Sequence, residues 1–367
     1  MKIAFVISYM QSGGSERVVA NLTNEFVNLG HEAYILMIDC AESDSHYNLD
    51  DRVHLKALTK NGNGIHSMRW ISIYAKYLSL RQCVKEIMPD VVISLPTDAH
   101  IFTFLACRGL NIPYIVSERN NPTKYSEGRV KHVLRDYAFK KADGCVFQTR
   151  GARECYPKHI GSKSRIIPNP TVLSYIPNGV IKRDKKIAAM GRLVDEKNYA
   201  LMINAFSLFL DKNQGYKLII CGEGLMRDSL KQLVDALGLS SSVKFVGNLK
   251  NPHEQIYNAT AYVLSSNSEG MPNALLEAMA LGIPSVSTNC PPGGPADLIE
   301  NNENGILVPV GDAAAMANAL DRIANDPEFA NKLSANSLKM REKHSVANIA
   351  RLWLEYIETL VHPIANV

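Results

Sequence analysis

Short apolar runs alternate with helical patterns through the first half of the chain, break off at a proline-rich stretch, and start again in the second half. Ile3–Ile7, Ala33–Ile38, Val91–Leu95, Tyr114–Val116 and Gly144–Phe147 read as strands, and Glu16–Leu29 reads as a helix closed by Gly30. The runs are continuously apolar rather than alternating, which suits strands buried on both faces of a parallel sheet. Ile166-Ile167-Pro168-Asn169-Pro170 and Ile176-Pro177-Asn178-Gly179 suit an extended connection with turns. The rhythm resumes with strands at Lys186–Met190, Lys217–Cys221, Val243–Val246, Ala261–Leu264 and Ser285–Ser287, and an edge piece at Gly305–Val308. Helices are expected from about Asn198 to Leu210 and from about Met226 to Leu237. This predicts an α/β chain of two doubly wound domains, 1–168 and 178–345, facing each other across a cleft. A final helix, Val346–Val361, carries an apolar stripe of Ile349, Leu352, Trp353, Tyr356, Ile357 and Leu360. That stripe should bury against a domain, and a crossing of 346–367 back to the first one is open.

A chain of 367 residues has room for two such domains. Forty Lys and Arg against 36 Asp and Glu leave a formal charge of +4, too mild for a nucleic-acid binder but compatible with local phosphate or anionic-bilayer contact. Seven scattered cysteines show no metal spacing and suit a reducing cytoplasm. The histidines are isolated, so no zinc site is expected. The apolar start, Met1 to Ser8, is too short for a secretion signal, and no run approaches the length of a membrane span. Peripheral attachment stays open.

Most chemistry is concentrated in Glu269-Gly270-Met271-Pro272-Asn273-Ala274-Leu275-Leu276-Glu277. Two carboxylates lie eight residues apart across a strand-end loop and a helix start, with Pro272 expected at the first helical position. Free N–H groups at such a start favour a phosphate, and the acids can bind hydroxyls. The combination describes a nucleotide-sugar site; the same spacing also suits a capped surface helix with two solvated glutamates. Gly191-Arg192-Leu193-Val194-Asp195-Glu196-Lys197 follows the restarted strand at its carboxyl end, where open parallel sheets bind ligands. There Arg192 can fork onto phosphate oxygens and Lys197 can add a point charge, although a solvated charged loop reads the same way. Gly222-Glu223-Gly224 and the Gly247-Asn248 turn end two further strands, and the latter can hold a flat base through backbone groups. Pro291-Pro292-Gly293-Gly294-Pro295 is a stiff turn able to shape the same pocket.

In the first half, Gly13-Gly14 can bring bare backbone near a ligand, with Ser15 as cap of the next helix. This lacks the spacing of a dinucleotide fingerprint or a P-loop. Ser117-Glu118-Arg119-Asn120 follows a strand and offers polar groups at its end. Lys124, Arg129, Lys131, His132, Arg135, Lys140 and Lys141 form a basic region suited to a phosphate-bearing acceptor or an anionic membrane. Met68–Met88 mixes aromatic, aliphatic and basic residues, as an interfacial or a packed helix would.

Taken together, Gly13-Gly14, Gly191-Arg192 with Lys197, Gly222-Glu223-Gly224 and Glu269 through Glu277 resemble the retaining glycosyltransferases of family 4, which have the GT-B fold. The Ser117–Asn120 and Pro291–Pro295 stretches narrow this to enzymes that extend lipid-linked oligosaccharides. The resemblance implies that Arg192 and Lys197 bind the donor diphosphate, Glu269 contacts the transferred sugar and Glu277 holds the ribose. Gly13, Gly14, Gly222, Asn248, Gly270, Met271, Pro272 and Asn273 would complete the donor side. Glu118, Arg119, Asn120 and Lys124 are the acceptor-side candidates; Arg119 stands where many relatives place a sugar-contacting histidine. It further implies a hexose or N-acetylhexosamine donor linked to UDP, no metal or other cofactor, a glycan or polyprenyl-diphosphate-linked acceptor, and a cytoplasmic enzyme at the inner face of the membrane. A sugar-nucleotide epimerase, a glycan phosphorylase and a noncatalytic sugar-nucleotide-binding protein are the rival readings.

Overall fold

A computed structural model of the chain describes residues 1–11, 13–40, 45–58, 69–95, 97–119, 122, 129–173, 175–177 and 181–362, without the side chains of 69–72, 97–98 and 129–132. It divides into two compact units, Met1–Pro170 with Val346–Val367, and Thr171–Ser345.

The first unit is built on β1 (Lys2–Ile7), β2 (Glu32–Met37), β3 (His54–Ala57), β4 (Val91–Ser94), β5 (Tyr114–Glu118), β6 (Gly144–Phe147) and β7 (Ser164–Ile166). They form one sheet in the order β3-β2-β1-β4-β5-β6-β7, every neighbouring pair parallel. Side-chain alternation splits the buried residues between two cores. Ile3, Phe5 and Ile7 face the helices Gly14–Asn28 and Val346–Val361, while Ala4 and Val6 face Arg69–Ile87, Thr97–Cys107 and Arg129–Lys141. Ile166 ends β7, so the extended connection begins a residue later than its prolines suggested.

The helix Val346–Val361 belongs to the first unit. Trp353 is fully buried against Phe5, with ring centroids 6.5 Å apart. The Tyr356 hydroxyl accepts from the Cys145 N–H at 2.9 Å and donates to the Lys163 carbonyl at 2.6 Å, which fixes the helix on the ends of β6 and β7. The Gly14–Asn28 helix begins one residue before the expected cap Ser15, with extended Gly13 at its N-cap. The Tyr47 phenol explains this start: it accepts from the Gly13 N–H at 2.9 Å and donates to the Gly13 carbonyl at 2.6 Å, holding that peptide outside the helix.

The second unit carries β8 (Asp184–Met190), β9 (Lys217–Cys221), β10 (Val243–Gly247), β11 (Ala259–Leu264), β12 (Ser285–Thr288) and β13 (Ile306–Val308), all parallel, in the order β10-β9-β8-β11-β12-β13. One face packs on the helices Tyr199–Leu210 and Ala313–Asn325, the other on Asn273–Ala280. Strand order reverses between β1 and β4 in the first sheet and between β8 and β11 in the second, and such switch points open a crevice at the carboxyl ends of the strands.

At the first switch point, Ser94 closes β4 and its hydroxyl meets His100 Nδ1 at 2.7 Å. Burial, helped by the nearby Arg135 charge, lowers the His100 pKa from 6.5 to about 3. The folded chain therefore resists a proton that the unfolded chain accepts below pH 6.5, and stability contributed at neutral pH is lost as pH falls from there towards 3. The expected slope from this residue is about 1.4 kcal/mol per pH unit. Urea unfolding at pH 7 and pH 5 checks this: His100→Gln should show a distinctly smaller loss than the wild type, and equal losses would remove the assignment.

Candidate functional site

At the second switch point β8 runs into Gly191 and then a 3-10 turn, Asp195–Lys197. Asn198 ends the turn with a left-handed backbone, φ +45°, and its side chain caps the next helix by accepting from the Leu201 N–H at 3.2 Å. Asparagine tolerates that conformation because its amide can bond locally. The loop after β11 is tied to this turn three times. Ser265 Oγ donates to the Lys197 carbonyl at 2.9 Å, the Asn267 N–H to the Glu196 carbonyl at 2.9 Å, and Asn198 Nδ2 to Asn267 Oδ1 at 3.0 Å.

These ties bring together two of the four charged residues expected at the donor site, Lys197 and Glu269. Lys197 Nζ donates to Glu269 Oε1 at 2.5 Å, and Ser266 Oγ donates to the same oxygen at 2.6 Å. The Glu269 side chain is 9 % exposed and that of Lys197 is 23 %. A nearly buried carboxylate thus shares a half-open ammonium at the carboxyl edge of the sheet. From the end of β12, Thr288 Oγ1 donates to the Ser266 carbonyl at 2.6 Å, and the Glu269 N–H reaches the Pro291 carbonyl at 3.0 Å. The Pro291–Pro295 turn is pressed on this loop: a Cβ added at Gly294 would stand 1.6 Å from the Gly270 carbonyl oxygen.

The other expected donor residues are spread around the same strand ends. Gly222, at φ +150°, touches Gly191 so closely that a Cβ would lie 1.9 Å from its carbonyl oxygen. The Gly222 N–H donates to the Gly247 carbonyl at 2.8 Å, which joins the ends of β9 and β10, and exposed Asn248 follows. Arg192 is exposed, and its side chain makes no hydrogen bond or ion pair among the described residues. Met271 is buried, Gly270 and Asn273 are partly exposed. Pro272 is the N-cap of the helix Asn273–Ala280 rather than its first residue: ψ of +98° keeps it extended while its carbonyl accepts from the Leu276 N–H at 3.1 Å. Glu277 is buried on that helix, its Oε2 3.0 Å from His253 Nε2, and both side chains are under 8 % exposed.

In the first unit Glu118 is buried; its Oε2 accepts from the Tyr156 hydroxyl at 2.6 Å and its Oε1 from the Arg119 N–H at 3.0 Å. Arg119 is buried as well, with Nη1 donating to Asn169 Oδ1 at 2.8 Å. Asn120 and Lys124 lie outside the described residues. Among the described residues no group of three His, Cys, Asp or Glu gathers to hold a metal ion, and no helix is long and apolar enough to cross a membrane. Sequence reasoning missed Ser266 and His253. Ser266 was signalled by the polar run Ser265–Ser268 directly after an apolar strand; His253, 24 residues before its partner, gave no signal.

Two family models match the chain in succession: Glycosyltransferase Family 4 over residues 12–175 and Glycosyl transferases group 1 over residues 176–340. A Campylobacter jejuni relative, GalNAc-alpha-(1->4)-GalNAc-alpha-(1->3)-diNAcBac-PP-undecaprenol alpha-1,4-N-acetyl-D-galactosaminyltransferase, is 28% identical over 361 residues, covering 97% of this chain and 98% of its own. A second C. jejuni relative, N-acetylgalactosamine-N,N'-diacetylbacillosaminyl-diphospho-undecaprenol 4-alpha-N-acetylgalactosaminyltransferase, is 25% identical, covering 97% and 99%. The crystal structure of Anabaena Alr3699/HepE in complex with UDP superposes with a TM-score of 0.81 at 17% identity, over 98% of this chain and all of that one.

Proposed function

From the premise that the chain belongs to the family 4 glycosyltransferases of GT-B fold, we propose that it moves a hexose or N-acetylhexosamine from a UDP-sugar to a lipid-linked oligosaccharide, with retention of configuration. The observation that carries this reading is the Lys197–Glu269 contact of 2.5 Å at the β8/β11 switch point. Support for the acceptor class comes from the two C. jejuni relatives, whose names describe undecaprenyl-diphosphate-linked glycans, and support for the nucleotide from the UDP in the Anabaena structure.

In this reading Lys197 turns from Glu269 towards the donor diphosphate, and exposed Arg192 joins it. Their positive charges stabilise the negative charge that grows on the leaving phosphate. Glu269, still held by Ser266, is left to orient the sugar and to balance positive character at the anomeric carbon. The acceptor hydroxyl enters on the face that the phosphate leaves, and the departing phosphate oxygen takes its proton. Lys197 and Arg192 thus supply charge that a metal ion supplies elsewhere. The proposed acceptor also suits the outer helices of the first unit. Ile73, Tyr74 and Leu78 are exposed on Arg69–Ile87, and Val133, Leu134 and Tyr137 on Arg129–Lys141, which ends in Lys140-Lys141. Apolar side chains beside basic ones fit peripheral contact with an anionic bilayer.

A panel of nucleotide sugars incubated with a membrane-lipid extract, followed by mass detection, tests the reading. Addition of one sugar mass to a lipid-linked glycan is expected; conversion of a donor without any acceptor would point instead to an epimerase. Glu277→Ala is expected to weaken UDP binding by roughly ten- to a hundredfold, as loss of a charge-assisted hydrogen bond does. Calorimetry with UDP measures this, and an unchanged affinity would remove Glu277 from the ribose site.

A further inference from the structure

The first unit contains a buried guanidinium that is only half satisfied. Arg119 is 6 % exposed; Nη1 is anchored on Asn169 Oδ1, and its Cζ lies 5.6 Å from the centre of the Trp353 ring. Nε and Nη2 have no hydrogen-bond partner among the described residues. Those two nitrogens form the side-on edge of the guanidinium, the fork that takes two oxygens of a carboxylate or phosphate in one plane. Three other buried polar atoms of the same unit are also without partners among the described residues: Ser117 Oγ, Gln148 Oε1 and Trp353 Nε1. Gln148 Nε2 donates to the same Asn169 oxygen as Arg119, at 2.8 Å, so the two side chains meet at one atom. Ser117 lies two residues before Arg119, on the sheet face that Ile115 and Val146 share with Trp353. Buried polar atoms are normally paired, and several orphans on side chains that meet one cation or share its sheet face mark a place for a polar guest.

We infer that the open edge of Arg119, with Ser117, Gln148 and Trp353 around it, is a binding site for a phosphoryl group at the carboxyl ends of β5 and β6. Arg119 Nε and Nη2 grip two oxygens, while the Trp353 indole N–H and the Ser117 hydroxyl supply further donors. Gln148 Oε1 is an acceptor, which suits the P–OH of a monohydrogen phosphate and has nothing to receive from an ionised carboxylate. Burial pulls the Arg119 pKa down to about 9, against the opposing pull of Glu118, so the group is still charged at neutral pH and a bound anion would relieve its isolation. The ligand is a free phosphate ion or the phosphoryl end of a nucleotide. This inference does not depend on the donor assignment of Lys197.

Trp353 reports on the site directly. The chain has two tryptophans, so Trp70→Phe leaves Trp353 as the sole indole. Titration of full-length Trp70→Phe with inorganic phosphate should give a saturable change in its emission, much weaker with acetate at equal ionic strength. Adding Arg119→Lys, which keeps the charge but loses the fork, should weaken the phosphate response by about tenfold or more. Adding Lys197→Ala instead should leave it unchanged, which separates this site from the donor pocket. Repeating the titration in saturating UDP identifies the source: loss of the phosphate response means that a nucleotide phosphoryl group occupies the site, and its persistence means that the free ion does. No saturable response in Trp70→Phe, an acetate response equal to that of phosphate, or full retention in the Arg119→Lys variant would overturn the inference.

Discussion

Lys197→Ala should lower kcat/KM for the nucleotide sugar by about 10²–10³-fold, the usual cost of removing one preorganised group that stabilises transition-state charge. Geometry sets the expectation. The backbone under the ammonium is held at the switch point by a turn hydrogen-bonded to the loop after β11, so only the Lys197 side chain has to turn from Glu269 to the phosphate. The variant also leaves Glu269, nearly buried, without its cation, and only the Ser266 hydroxyl remains on that Oε1 among the described contacts. The two consequences separate experimentally. Donor saturation at fixed acceptor should change strongly and acceptor saturation at fixed donor should not, while Lys197→Arg should recover part of the rate by restoring charge with a different shape. Donor curves indistinguishable from wild type would dissolve the phosphate assignment.

Gly294→Ala should cost about 10²-fold in turnover through Glu269, although residue 294 carries no reacting group. The added Cβ would stand 1.6 Å from the Gly270 oxygen and 3.1 Å from the Glu269 oxygen, both backbone atoms that cannot swing aside as a side-chain end can. The loop bearing Glu269 must then retreat by more than 1 Å from the Pro291–Pro295 turn, a displacement large enough to spoil alignment of a reacting group. Overpacking of this kind also costs about 1–3 kcal/mol of stability. Urea unfolding together with activity below the unfolding transition distinguishes the effects. A folded variant with wild-type turnover would show that the contact between turn and loop does not position Glu269.

The architecture was legible because parallel strands, buried on both faces, leave unbroken apolar runs; β1, β6 and β9 stand out on that ground alone. The edge strand β3, His54–Ala57, was not read because its exposure alternates and His54 and Lys56 dilute the signal. The three-residue β7 was hidden by the prolines after it. At the candidate site, the meeting of Lys197 and Glu269 was legible because strand-end position and charge are both written locally. The surroundings of the polar residues at the end of β5 were less legible. Arg119 follows a strand end like Lys197 does, yet it turns inward to Asn169 and Trp353, partners 50 and 234 positions away. Such pairings are set by the sheet order, which a local pattern does not contain. The cap positions shifted for the same reason: Tyr47, 34 residues on, decides where the Gly14–Asn28 helix begins.

The return of Val346–Val361 to the first unit dictates an order of assembly during synthesis. Residues Thr171–Ser345 make a contiguous unit, whereas the sheet translated before them lacks Trp353 and Tyr356 until Val346–Val361 emerges. One apolar face of that sheet, covered in part by Gly14–Asn28, therefore stays incompletely buried while Thr171–Ser345 is being made. A stop codon just before 346 would therefore harm a unit synthesised well ahead of it.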